Sequence, residues 1–173
     1  FRSPISGAGA VHKYGTGTTT FSQAVTYSGE TLVGAGGLTL SSTYGSALHT
    51  ILSGATLTLD TAGGDRDYAT TTFRGAGTLV KAGANRALWG TSVATFALGT
   101  GAMIDVQAGI FTASSNSNEV WTNNLSDLNV ASGARFAVVE GAARVDALTG
   151  SGDVTVGYAG GLGSLTLGVD NHT

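Results

Sequence analysis

Residues 53–59, Ser53-Gly54-Ala55-Thr56-Leu57-Thr58-Leu59, decide the fold. Leu57 and Leu59 alternate with Thr56 and Thr58, so an extended backbone sends the leucines to one side and the threonines to the other. Gly54 supplies a corner, because glycine reaches positive φ without a Cβ penalty. The same phrase returns as Thr100-Gly101-Ala102-Met103-Ile104-Asp105-Val106 and as Ser132-Gly133-Ala134-Arg135-Phe136-Ala137-Val138. Working outward, similar short alternations stand at residues 31–33, 37–40, 77–80, 127–130, 153–156 and 164–167. Strands this short, separated by Gly, Ser, Asn and Asp, predict an all-β chain.

A second phrase, Gly-x-Gly followed by alternation, occurs at Gly7, Gly75 and Gly150, which are 68 and 75 residues apart. Each interval would hold about three turns of roughly 20–25 residues, and units that cannot bury an apolar face alone must stack on their neighbours. The expected architecture is a right-handed single-stranded parallel β-helix of about seven to eight coils, forming a single module over residues 1–173. A β-sandwich uses the same short strands and stands as the alternative. In the β-helix, the threonine runs 18–20 and 70–72 suit the outer surface, and Asp105, between Ile104 and Val106, should point outward.

Composition narrows the function. Glycine fills 28 of 173 positions, but one proline and no G-x-y period exclude collagen. Charged residues make up 11% of the chain against a usual value of about 25%, and the net charge is −3. So small a charge, with only 8 scattered basic residues, provides no electrostatic footprint for nucleic acid. No apolar run is long enough to span a membrane, so direct membrane insertion is not expected. Without cysteine there are no disulfides, thiolate nucleophiles or Cys-ligated zinc.

Residues 10–32, AVHKYGTGTTTFSQAVTYSGETL, are similar to the bacterial autotransporter-associated β-strand repeat, of the form L-x-K-x-G-x-G-T-L-x-L-x-G-x-N-x-Y-x-G-x-T. Lys13, Gly15, Gly17, Tyr27, Ser28, Gly29 and Thr31 match it. A degenerate second copy runs over residues 75–89, with Arg86-Ala87 in place of Gly-Thr, and residues 148–169 resemble segments found between such repeats. The resemblance covers about half of the chain and carries no catalytic residue. It implies a passenger-type parallel β-helix cut from a larger secreted protein, placed outside the cell or on the bacterial surface beside other domains.

The residues offer little for catalysis. His12, His49 and His172 lack a G-x-S-x-G partner, and the carboxylates Asp105, Glu119, Glu140, Asp146 and Asp153 cannot be paired without the register. Polysaccharide degradation is therefore the minor reading, and no cofactor is expected. Asp60, Asp65 and Asp67 surround Gly63-Gly64 with a spacing suggestive of weak calcium binding, but lack the known calcium-loop patterns, so no metal site is assigned. Sugar binding has more physical support, since aromatic rings stack on pyranose faces while Asn, Asp and Arg bond hydroxyls. Trp121 and Tyr68 are the expected rings because each lies in a polar, turn-rich insertion rather than in an alternating core strand, with Asp65, Arg66, Asp67, Asn116, Asn118 and Asn123 as polar partners. Trp89, Tyr14, Tyr27, Tyr44 and Tyr158 are further aromatic candidates, and Glu119 and Asn124 further polar ones. Two functions compete: an extracellular module that holds polysaccharide or surface glycan, and a passive stalk or spacer.

Overall fold

A computed structural model of the chain describes residues 1–68, 70–88, 94–114, 119–157 and 161–171. All strand pairings among them are parallel. That settles the choice between the two folds: the chain is a single-stranded parallel β-helix, and the antiparallel sandwich is ruled out.

Three sheets form its walls. The first face stacks Val11–Lys13, Thr31–Val33, Leu48–Ile51, Thr72–Gly75 and Thr95–Leu98. The second stacks Thr18–Phe21, Gly37–Leu40, Thr56–Asp60, Thr78–Ala82, Met103–Val106, Asp127–Val130 and Leu148–Gly150, one strand from each of seven coils. The third stacks Arg66–Asp67, Arg86–Leu88, Ile110–Ser114, Arg135–Val138 and Asp153–Val156. Two-stranded pairings, Ile5–Gly7 with Val25–Tyr27 and Gly141–Arg144 with Gly163–Thr166, belong to the first and last coils. Among the described residues no helix is long and apolar enough to cross a membrane.

The alternation of the opening phrase becomes a column. On the second face Leu38, Leu57, Leu79, Ile104 and Leu128 lie in register, each 1% exposed or less. Such strands sit about 4.8 Å apart, so identical rows of branched side chains pile directly on one another. The outward row carries polar groups. Asp105 accepts from Asn129 Nδ2 at 2.7 Å and from Gln107 Nε2 at 2.8 Å, and Thr149 Oγ1 donates to Asn129 Oδ1 at 3.2 Å. Asp105 therefore faces away from the core, as its alternation predicts.

The repeated phrase marks a turn. Ala55 N donates to Leu52 O at 2.9 Å with Gly54 at φ 77°, and the Gly101 and Gly133 turns close in the same way. This is the i to i+3 bond of a turn that needs positive φ at its third residue, which glycine provides. The turn does not mark one corner, however. After Ala55 and Ala102 the chain enters the second face, whereas after Ala134 it enters the third. The Gly-x-Gly copies likewise shift by one corner each time, because their spacing corresponds to about three and a third coils rather than three.

Candidate functional site

The two rings expected at the surface lie inside. Trp121 is 2% exposed. Its neighbour Val120 forms a parallel bridge with Thr95, which turns the next side chain inward beside Phe96. The indole stacks on Phe96 at 4.0 Å, and Nε1 donates to the Ala113 carbonyl at 3.1 Å. Phe96 stacks in turn on Phe73 at 5.6 Å, and Phe73 contacts His49 at 5.2 Å. These rings follow the first face coil by coil, since Phe96 pairs with Phe73 and Phe73 with His49. Tyr68 is also 2% exposed, stacked on Tyr44 at 4.8 Å, and Tyr44 meets the His49 ring edge-on at 4.7 Å. Burial raises the Tyr68 and Tyr44 phenols well above their ordinary range.

The polar partners do not assemble around those rings. Asp65, Arg66 and Asp67 lie on the third face of the third coil, while Trp121 and the exposed Asn123 lie three coils further on. Asp65 accepts from the Arg86 backbone N–H at 2.8 Å, Arg66 reaches the Ser41 carbonyl at 3.4 Å, and Asp67 is exposed. Asn124 is buried and bonds Ser126 and the Arg144 carbonyl, each at 2.9 Å. Tyr27 is buried against Thr31 Oγ1 at 2.7 Å, whereas Tyr14 is 62% exposed. Asn116, Asn118, Trp89, Tyr158 and His172 lie outside the described residues.

The solenoid itself engages the candidate carboxylates. Besides Asp105, Asp146 accepts from the Asp170 backbone N–H at 2.7 Å, Asp153 pairs with Arg135 at 3.2 Å, and Glu119 accepts from Ser114 Oγ at 3.3 Å. Asp60 accepts from Ser41 Oγ and from the Ala62 N–H. Among the described residues no group of three or more His, Cys, Asp or Glu side chains converges.

Two concavities in the described part of the walls bear on function. One, of about 400 Å³, is lined by Glu119, Val120, Trp121, Thr122, Ala142, Ala143, Arg144 and Thr166, and touches only a sliver of the buried indole. The other, of about 450 Å³, is a trough on the outside of the third face. Register explains its shape. Arg86, Ile110 and Arg135 form one outward row, and Thr112, Ala137 and Thr155 form the next. Thr112 and Ala137 point outward yet are only 4% and 7% exposed, because Ile110, Leu88, Val139 and the arginines rise around these small residues.

Sequence reasoning missed the arginines of this trough, which looked like isolated surface charges. It also missed the role of the two lysines. Lys81 occupies the inward row between Leu59 and Val106, fully buried. Its ammonium donates to the carbonyls of Ala82, Gly83 and Ala108 at 3.0, 2.8 and 2.7 Å. Lys13 makes the same arrangement with Tyr14, Gly15 and Ala35 at 3.1, 2.7 and 2.9 Å. In each case the chain reads Lys-x-Gly, and the lysine ties its own corner to the corner of the following coil. The available signal was a lysine in phase with leucines, as in Thr78-Leu79-Val80-Lys81.

With this geometry the chain is a parallel β-solenoid of about seven turns. No family model, curated protein or solved structure matches it.

Proposed function

We propose that this solenoid is a non-catalytic module of an exported or surface-bound protein, holding polysaccharide or surface glycan along its side wall. The observation that supports this reading is the trough on the third face. Its 450 Å³ falls within the range of ligand clefts, and its lining mixes aliphatic groups with hydroxyls and guanidinium groups. The buried rings of Trp121 and Tyr68 take no part. Placement outside the cell, next to other domains of a larger chain, rests on the resemblance of residues 10–32 to the autotransporter-associated repeat. The net charge of −3 gives no general attraction for nucleic acid.

Retention of the protein on a panel of immobilised polysaccharides tests the reading. The expected result is retention by at least one polymer and its loss in Ala137→Phe, which fills the floor of the trough. Burial of Trp121 and Tyr68 favours a second reading, that of a passive spacer, for which no polymer retains the protein.

A further inference from the structure

The trough on the third face has a chemical preference that can be read from its rim. Arg86 and Arg135 stand in the same outward row with Ile110 between them, two strand spacings apart, or roughly 9.6 Å. Both are exposed, and no carboxylate lines the trough among its described residues. Carboxylates bracket the row: Asp153 pairs with Arg135, and Asp65 accepts the Arg86 backbone N–H at 2.8 Å, while the Arg86 guanidinium makes no ion pair among the described residues. The trough runs across the strands, and so along the solenoid axis, which suits a linear polymer rather than a compact ligand. Its floor of Thr112, Ala137 and Thr155 offers methyl groups to the C–H face of a sugar ring and hydroxyls to its oxygens.

Resting on the glycan reading above, we infer that this site takes a linear acidic polysaccharide, with Arg86 and Arg135 each donating to a carboxylate of the polymer. Guanidinium groups suit this task because their planar donors match a carboxylate in pairs. In an extended chain that bears a carboxylate on alternate sugars, the charge recurs at a distance comparable to the spacing of the two arginines. The chain as a whole carries a net charge of −3, so the attraction is confined to the two guanidinium groups.

Hyaluronate, which carries one carboxylate per disaccharide, is the probe, with neutral dextran and single-stranded DNA as controls. The intact chain is expected to bind hyaluronate, not dextran, and to lose affinity as salt rises from 50 to about 200 mM. Replacing both arginines, Arg86→Ala with Arg135→Ala, weakens binding by at least about tenfold. Both residues are exposed, so the double variant is expected to fold, which circular dichroism checks. Arg86→Gln alone provides the same comparison with the Arg135–Asp153 pair intact. Equal retention of hyaluronate and dextran defeats the acidic preference but leaves the glycan reading standing. Hyaluronate binding that ignores both arginines places the site elsewhere, and equal retention of DNA reduces it to a general polyanion surface. If neither polysaccharide is retained, this inference fails, and the glycan reading then depends on the wider panel and Ala137→Phe.

Discussion

Lys81 and His49 are both polar side chains with no exposed surface, one coil apart, and the solenoid holds them in opposite ways. The Lys81 ammonium places all three protons on backbone carbonyls at a corner. Among the described residues neither ring nitrogen of His49 has a hydrogen-bond partner, and the ring is held by Tyr44 and Phe73. Burial pulls Lys81 down to about 8, with Asp60 and Asp65 pulling the other way, so it is still mainly charged at neutral pH. Burial alone pulls His49 to about 3, so it is neutral there. The difference shows what a narrow core permits. Corners expose carbonyls that can solvate a cation, whereas the interior of a face accepts a polar ring only as an uncharged one.

The largest test removes a ring next to His49. Phe73→Ala should destabilise the fold by about 3–5 kcal/mol, read from the urea midpoint, because Phe73 links His49 to Phe96 and its loss leaves a cavity in the buried core. A loss below about 1 kcal/mol would mean that the rings are not a continuous column. Lys81→Met keeps the column filled but leaves the Gly83 and Ala108 carbonyls without their donor. We expect a loss of about 2–3 kcal/mol, and an unchanged or raised stability would show that the ammonium is dispensable.

Acid sharpens the other side of the comparison. Below pH 6.5 the unfolded chain takes up a proton at His49 that the folded chain refuses until about pH 3, so stability falls as pH falls through that window. The slope approaches about 1.4 kcal/mol per pH unit well below pH 6.5 for this one group, or about 1.6 kcal/mol in all between pH 6.5 and 5. His49→Phe should remove that share of the slope while leaving the contribution of the carboxylates, and parallel pH curves for the two proteins would refute a buried neutral imidazole. The smallest effect belongs to Lys13→Met. Lys13 sits in the first coil, where two of its three carbonyl bonds are exposed, so a loss under about 1 kcal/mol is expected from a thermal melt.

Most of the architecture could be read from Leu57, Leu59 and the corner glycines, because alternation and positive-φ turns are local properties. The positions of the rings could not. Trp121 follows a polar stretch and is aligned by a single bridge between Val120 and Thr95, and Tyr68 follows a strand of only two residues, Arg66–Asp67. Neither has enough flanking alternation to fix its phase, and polar neighbours alone gave the wrong side. Whether a residue lies over Phe96 or over a loop depends on pairing with a strand some 25 residues away, which no local window contains. The trough was hidden for the same reason, since Arg86 and Arg135 share a rim only through the Ile110 strand between them.

Acrylamide quenching of Trp121 fluorescence, in a protein carrying Trp89→Phe so that one indole reports, tests the interior ring column most directly. A ring stacked on Phe96 and bonded to the Ala113 carbonyl should emit at short wavelength and resist quenching until the protein unfolds. Emission at the wavelength of free tryptophan, with rapid quenching in the folded protein, would put the ring in solvent and contradict the account.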